Sequence, residues 1–446
     1  MAPQDYRALA DALAADIASG RLPPGGRLPT QRDFAYAHKI APSTASRVYA
    51  ELVRRGLIAG EVGRGSYVRT IGAASTSSLG EPTHATVDLQ LNFPILPTQD
   101  AELEQVLAGL IRPGGLAQAF RPVGAAGTRA ARSATADFLA GPNWRPDPAG
   151  IAFTTNGRQA IAATFAALAP PGERIGVEAM TYPAVKWIAA RLGITLVPLA
   201  MDDKGLKPDA VLRAHRAAPL RGIYVQPNLH NPLGVSMDAA RRDEIADLLK
   251  AESLMAVEDV IYGFLCDDEP LCVRAPDHVL LVDSLSKRVA PGLTLGFIAG
   301  PPAWSERLVA AVRSGAWAVM GLPLAMGLHI MGEGIVTRLV KAKRADAQVR
   351  QAIARSVFDG AMLKADPRSY HAWLELPESW RAEAFTGAAA RQGIAITPSS
   401  AFAVTPGHAP NAVRLALSPP SHAALREALL VLRRLIDGGP VESEVE

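Results

Sequence analysis

From Ile151 to Val282 the chain repeats one rhythm six times, a short apolar run followed by a stretch of helical periodicity. The runs are Ile151-Ala152-Phe153, Arg174-Ile175-Gly176-Val177, Thr195-Leu196-Val197-Pro198-Leu199, Gly222-Ile223-Tyr224-Val225, Leu254-Met255-Ala256-Val257 and Val279-Leu280-Leu281-Val282. Strands that are apolar throughout need cover on both faces, and strands joined through helices run parallel. The pattern predicts an α/β body with a large, mainly parallel sheet. Open sheets of this kind take their ligands beyond the carboxyl ends of the strands. After Arg350 the rhythm changes to runs at 369–374, 394–397 and 413–417 with a helix over 379–391, which predicts a small α+β lobe.

Four pieces of chemistry lie just past those strand ends. Thr154-Thr155-Asn156-Gly157-Arg158-Gln159 leaves a strand and opens a helix, so its amides can hold a phosphate. Asn231-Pro232-Leu233-Gly234 puts a side-chain amide beyond Val225. Glu258-Asp259-Val260-Ile261-Tyr262 supplies a carboxylate for a protonated ring nitrogen and a phenol for a ring hydroxyl. Asp283-Ser284-Leu285-Ser286-Lys287 sets a lysine just past a buried strand, where desolvation lowers its pKa toward Schiff-base chemistry. Each motif alone is also a common turn, cap or surface pattern; the information lies in their order and spacing.

The first 70 residues have a different character. They hold ten Lys and Arg against six Asp and Glu, a balance of +4, which leaves −1 for the rest of a chain whose net charge is +3. Helical spacing from Tyr6 to Ser19, a Pro-Gly connection, a short helix capped by Thr30 and a third helix over 43–55 form a helix-turn-helix pattern. Thr44, Arg47 and Glu51 face outward from the third helix. Leu57-Ile58-Ala59-Gly60 and Tyr67-Val68 read as two strands joined through Gly63-Arg64-Gly65, a wing tip that can reach a groove or the phosphate backbone. Residues 71–86 are small, polar and without period, a flexible linker. The expected domains are therefore 1–70, a linker at 71–86, and 87–446.

Cys266 and Cys272 are too few for a disulfide framework and lack zinc spacing, so no metal site is expected. No apolar run reaches membrane-spanning length and the N-terminus lacks a signal-peptide pattern, which points to a cytoplasmic protein.

The head resembles the GntR-type winged helix-turn-helix: Gly20-Arg21-Leu22-Pro23, Leu28-Pro29-Thr30-Gln31-Arg32, Ser43 to Gly56 and Gly63 to Val68 fit its pattern, with Ala41 where a serine is usual. The resemblance implies that Arg32, Thr44, Arg47 and Arg64 face DNA, with Arg27 and Ser43 as phosphate contacts. The body resembles fold-type I aminotransferases, and the fusion resembles MocR-type regulators across the chain. By that resemblance Lys287 links pyridoxal 5'-phosphate, Asp259 pairs with its ring nitrogen, and Asn231 and Tyr262 bond the ring oxygen. Tyr182 stacks on the ring, while Gly157, Arg158, Gln159, Ser284 and Ser286 surround the phosphate. Arg414 takes the carboxylate of a substrate or effector.

Two positions depart from the family pattern. Thr294 stands where an arginine usually balances the phosphate, leaving Arg288 or Arg158 to supply that charge. Phe120 to Gly127 lacks the tyrosine that usually crosses the dimer interface, with Arg121 as a substitute. The implied protein is a homodimeric regulator that binds an operator in double-stranded DNA and senses a small amine or amino acid, or the cofactor itself. A working aminotransferase with a tethering head and a DNA-binding protein with a cofactor-free scaffold are the alternatives.

Overall fold

The structure, a computed structural model, describes residues 6–19, 21–23, 26–55, 57–61, 65–68, 85–111, 117, 119–121, 123–315, 321–360 and 362–440. Most of the expected linker lies outside these, as does Arg64 at the wing tip. No described helix is long and apolar enough to cross a membrane.

In the head, helices Tyr6–Ala18, Gln31–His38 and Pro42–Arg54 precede an antiparallel pair, Ile58–Glu61 with Gly65–Val68. Thr30 caps the second helix by accepting the Asp33 amide, as its residue type predicts. The third helix begins one residue earlier than expected, because Pro42 fits the first turn, where no amide is needed. Ala45, Val48, Tyr49 and Leu52 are its buried face. The Tyr49 hydroxyl donates to the Pro29 carbonyl at 2.6 Å, which ties the third helix to the turn before the second.

The body is built on a seven-stranded sheet ordered Ile151–Thr154, Gly296–Ala299, Val279–Ser284, Ala256–Asp259, Gly222–Val225, Arg174–Glu178, Thr195–Leu199. All six expected strands are present. The seventh, Gly296–Ala299, was not foreseen, and it runs antiparallel to both neighbours. It is as short and apolar as several of the expected strands, but only the one-turn helix Leu285–Arg288 and a Pro-Gly turn separate it from Val279–Ser284, so it falls outside the strand–helix rhythm. Leu280 and Val282 pack on one face with helices Gly157–Leu168 and Pro183–Leu192, while Val279 and Leu281 pack on the other with Ala239–Ala251. The period-two alternation thus serves two cores.

Helix Ile335–Val357 leads to the small lobe, whose four-stranded sheet is ordered Leu363–Lys364, His371–Glu375, Ala412–Ala416, Thr397–Pro398. Helices Ala382–Arg391 and His422–Gly438 cover it, with Val413 and Leu415 turned into their core. The body's first strand, Val87–Asp88, belongs to this lobe, pairing with Ile394–Ala395.

Gly296 is the tightest point of the unforeseen strand. A Cβ there would lie 2.5 Å from Thr154 Oγ1 and 2.6 Å from the Asn156 carbonyl carbon. Gly296→Ala is expected to displace the turn Thr154–Asn156 and to cost about 1–3 kcal/mol, measured by denaturant unfolding. Wild-type stability in the variant would mean that the turn yields freely.

Candidate functional site

A cavity of ≈ 280 Å³ lies at the carboxyl ends of the central strands, between the two lobes. Gly157, Arg158, Tyr182, Asn231, Asp259, Tyr262, Ser284, Ser286, Lys287, Thr294 and Arg414 all line it. The strand order explains this convergence. Three neighbouring parallel strands end at Val225, Asp259 and Ser284, and the residues after each strand end are delivered to one edge. Lys287 lies in the short helix Leu285–Arg288, capped by Ser284, directly beyond the central strand.

Burial is the main cause that lowers the Lys287 pKa to about 7, reinforced by the Arg414 and Arg158 guanidiniums and opposed by Asp259. The amine donates to the Asn92 carbonyl and lies 4.4 Å from the Phe93 ring centre. A neutral, nucleophilic amine is therefore well populated near pH 7.

Asp259 ends its strand on the same face as Val257, while Glu258 points to the other. Burial raises the Asp259 pKa. Tyr224 Oη at 2.6 Å and Gln226 Nε2 at 3.2 Å donate to its Oδ2, and the Ile261 amide at 3.0 Å to its Oδ1; all three favour the carboxylate. Glu258 accepts the Leu271 and Cys272 amides instead and is a structural group. The Tyr262 hydroxyl accepts from Asn92 Nδ2 at 2.9 Å, and Asn231 Oδ1 is buried without a partner.

At the other end of the cavity, Asn156 caps helix Gly157–Leu168 by accepting the Gln159 amide at 2.9 Å. That leaves the amides of Gly157 and Arg158, on the first turn, for an outside acceptor. Arg158 Nε donates to Tyr182 Oη at 2.9 Å. Two expectations need correction here. Gln159 does not line the cavity; its Oε1 turns back to the Thr155 amide at 2.7 Å and hydroxyl at 2.9 Å, because the cap needs that arrangement. Arg288 turns away as well, ion-paired with buried Asp283 at 2.6 Å and packed against the Phe138 and Phe264 rings. Of the two candidate counter-charges only Arg158 is at the site.

Arg414 enters from the small lobe. On strand Ala412–Ala416 its neighbours Val413 and Leu415 face the lobe's core, so the pleat turns Arg414 the other way. It is 7% exposed, donates to Thr397 Oγ1 at 3.3 Å, lies 5.3 Å over Phe402, and leaves Nε without a partner. A buried guanidinium with no carboxylate in contact is a site for one.

The residues fit a pyridine aldehyde phosphate. An amine without a bound acid, a buried carboxyl group with three hydrogen-bond donors, a helix N-terminus with open amides and an unpartnered Asn231 oxygen each match one part of that molecule. Sequence reasoning missed Asn92, Phe93, Tyr224 and Gln226. Asn92 is 195 residues from Lys287 and carries no motif; it also accepts the Ser418 hydroxyl at 2.8 Å, so it ties the lysine and Tyr262 to the small lobe.

In the head, Arg27, Arg32, Ser43 and Arg47 are exposed and Thr44 is half-buried. Among the described residues Arg21 and Arg55 are ion-paired, to Asp16 and to Asp11 and Glu51, while none of Arg27, Arg32 and Arg47 is. Arg32 and Arg47 lie on the two helices of the helix-turn-helix.

Residues 87–432 match the aminotransferase class I and II family, and residues 5–68 match the gntR family of bacterial regulatory proteins. The chain is 29% identical to the HTH-type transcriptional regulator YdeF of Bacillus subtilis, over 97% of this chain and 94% of that protein. It is 25% identical to the vitamin B6 salvage pathway transcriptional repressor PtsJ of Salmonella typhimurium, over 89% and 91%. Among solved structures it is similar to LysN, an α-aminoadipate aminotransferase from Thermus thermophilus complexed with N-(5'-phosphopyridoxyl)-L-leucine. The TM-score is 0.73 at 21% identity, covering 82% of this chain and 95% of that one.

The depressed Lys287 pKa has a consequence for stability. Between about pH 7 and the ordinary lysine value the unfolded chain binds a proton that the folded one does not, so this group's contribution to stability rises with pH across that window. Lys287→Met is expected to stabilise the cofactor-free protein by roughly 2–4 kcal/mol at pH 6–7, with the gain shrinking toward pH 10. Unfolding free energies of both proteins across this range check it; a gain independent of pH would contradict it.

Proposed function

The chain belongs to the class I and II aminotransferase family, joined to a gntR-family head, and on that premise we propose that it is a DNA-binding transcription regulator. It holds pyridoxal 5'-phosphate through Lys287 and reads an amino compound, or the cofactor itself, as its signal. The observation that carries this reading is one chain with both a desolvated lysine facing a carboxylate and unpaired arginines on a helix-turn-helix. PtsJ, a repressor of vitamin B6 salvage, supports the cofactor as a signal class.

When bound, pyridoxal phosphate supplies an aldehyde that captures amines and a ring that withdraws electrons from them. Lys287 attaches through its neutral Nζ. Asp259, whose carboxylate form Tyr224 and Gln226 favour against the effect of burial, pairs with the protonated ring nitrogen. Asn231 and Tyr262 hold the ring oxygen, and Tyr182 covers the ring. The amides of Gly157 and Arg158, the Arg158 guanidinium, Ser284 and Ser286 hold the phosphate, with Thr294 contributing no charge. Arg414 takes the carboxylate of an amino-acid effector and draws the small lobe toward it.

Arg32, Thr44, Arg47 and Arg64 face DNA, with Arg27 and Ser43 on its phosphates. Residues 1–70 form this head, 71–86 the linker and 87–446 the effector domain, working in the cytoplasm. A single head with few directed contacts binds weakly, and a homodimer gains effective concentration through its linkers. Exposed Ile95, Leu107, Ile111 and Phe120, all in one segment of the body, support a second copy as their cover. The complete set of Lys287, Asp259 and Arg414 also supports a second reading, a working aminotransferase, which release of a keto acid from an amino acid would distinguish.

The test is spectroscopic. Lys287→Ala is expected to lose the visible band and the borohydride-trappable adduct formed with pyridoxal phosphate, and an adduct on another lysine would refute the assignment. Arg414→Ala should keep the band and lose at least tenfold in response to a carboxylate-bearing amine, a loss of about 1.4 kcal/mol or more. On the DNA side, joint replacement of Arg32 and Arg47 by alanine should weaken operator binding by about 1–3 kcal/mol per base-reading contact and leave the spectrum unchanged. Unaltered binding in a mobility-shift assay would remove the head from recognition.

A further inference from the structure

Lys343, in the middle of helix Ile335–Val357, is fully buried and has no acidic side chain as a hydrogen-bond partner. Its Nζ donates to two main-chain carbonyls, Lys287 O at 2.9 Å and Val289 O at 2.7 Å. The reason lies four residues beyond Lys287. A helix would satisfy the Lys287 carbonyl with the amide of residue 291, but that residue is Pro291, which has none. The short helix Leu285–Arg288 thus ends on carbonyls that the chain itself cannot satisfy, and a buried lysine from another helix takes that part.

We propose that Lys343 is a positioning residue for Lys287: it holds the turn that carries the cofactor lysine, and its charge adds to those of Arg414 and Arg158 in raising the fraction of Lys287 that is ready to capture an aldehyde. The inference rests on the reading of Lys287 as the cofactor lysine. Burial lowers the Lys343 pKa to about 7 as well, opposed by Asp346, so Lys343 is partly charged near neutral pH, and to that extent it adds to burial, Arg414 and Arg158 in favouring the neutral form of the Lys287 amine. The groups facing Lys287 are Asp259, Arg158, Arg414, the Tyr262 ring and Lys343; of the cations, only Lys343 is bonded to its backbone. Lys343 in turn faces Asp346 on its own helix and Tyr370 from the small lobe. Tyr370 Oη lies 2.8 Å from the Lys343 carbonyl and 2.9 Å from Asp346 Oδ2, its proton shared between them. The cofactor turn and the small lobe therefore grip the same turn of one helix.

The experiment measures the rate at which the full-length protein captures pyridoxal phosphate, as a function of pH, in Lys343→Met, Lys343→Gln and Lys343→Arg. Loss of the charge should move the midpoint of the rate profile up by about half a unit or more in Met and Gln, a roughly threefold slower capture at pH 7. Arginine, charged throughout, should hold the midpoint at or below the wild-type value. A structural role alone would lower stability in all three without moving the midpoint. If Lys343→Met does not fold, the Gln and Arg pair decides. An unchanged midpoint in a folded neutral variant overturns the proposal, as does failure of all three to fold, which would assign Lys343 to stability alone. Lys287→Ala run alongside separates the two readings: an adduct that survives in it refutes the cofactor assignment, whereas an unmoved midpoint with a Lys287-dependent adduct refutes only the role of Lys343.

Discussion

The site depends on removing one lysine amine from water without giving it a bound counter-ion. Lys287 has a main-chain carbonyl as its acceptor and Asp259 as the main carboxylate acting on it among the described residues, against the fields of Arg414, Arg158 and Lys343. An ordinary surface lysine is protonated at neutral pH and a poor nucleophile; this one, with its pKa lowered to about 7, has a substantial neutral population there. The rigid parts nearby serve that condition. The central strand sets the height of the lysine, Asn92 meets the amine, and Lys343 completes the turn that Pro291 leaves open.

The sheet supplies position and the pleat supplies direction. Glu258 and Asp259 are adjacent carboxylates, equally able in composition to meet a ring nitrogen. Because neighbouring residues on a strand face opposite sides, Asp259 meets the cavity and Glu258 pins the segment Leu271–Cys272. The same rule in the small lobe frees Arg414 from the core that Val413 and Leu415 build. Asn92 joins the lobes at the cavity itself, bonded to Tyr262 on one side and Ser418 on the other. The small lobe that carries Arg414 is thus hydrogen-bonded, through Ser418, to Asn92, the residue that meets the lysine.

Charge at the phosphate end is rearranged compared with the family pattern. With Thr294 in place of the usual arginine, local positive charge comes from Arg158 and from the open amides at the start of its helix. Arg288 cannot help, since Asp283 is buried beneath it and would be left uncompensated without the pair.

The amino-acid sequence by itself determined the large sheet, the helix-turn-helix and the strand-end motifs, because hydrophobic periodicity and caps are local signals that each segment carries on its own. Lys287, Asp259, Tyr262, Asn231 and Arg414 were all legible in this way, from motifs and a family resemblance. The antiparallel strand Gly296–Ala299 was not, since no full crossover helix precedes it and it falls outside the strand–helix rhythm. Nor were Asn92 and Lys343, which act on Lys287 from 195 and 56 residues away. Which of two basic side chains faced the phosphate end was likewise settled only in three dimensions, because Asp283 captures Arg288 while nothing buried captures Arg158. Strand order and long-range acceptors depend on what the rest of the chain places nearby, and no local pattern encodes that.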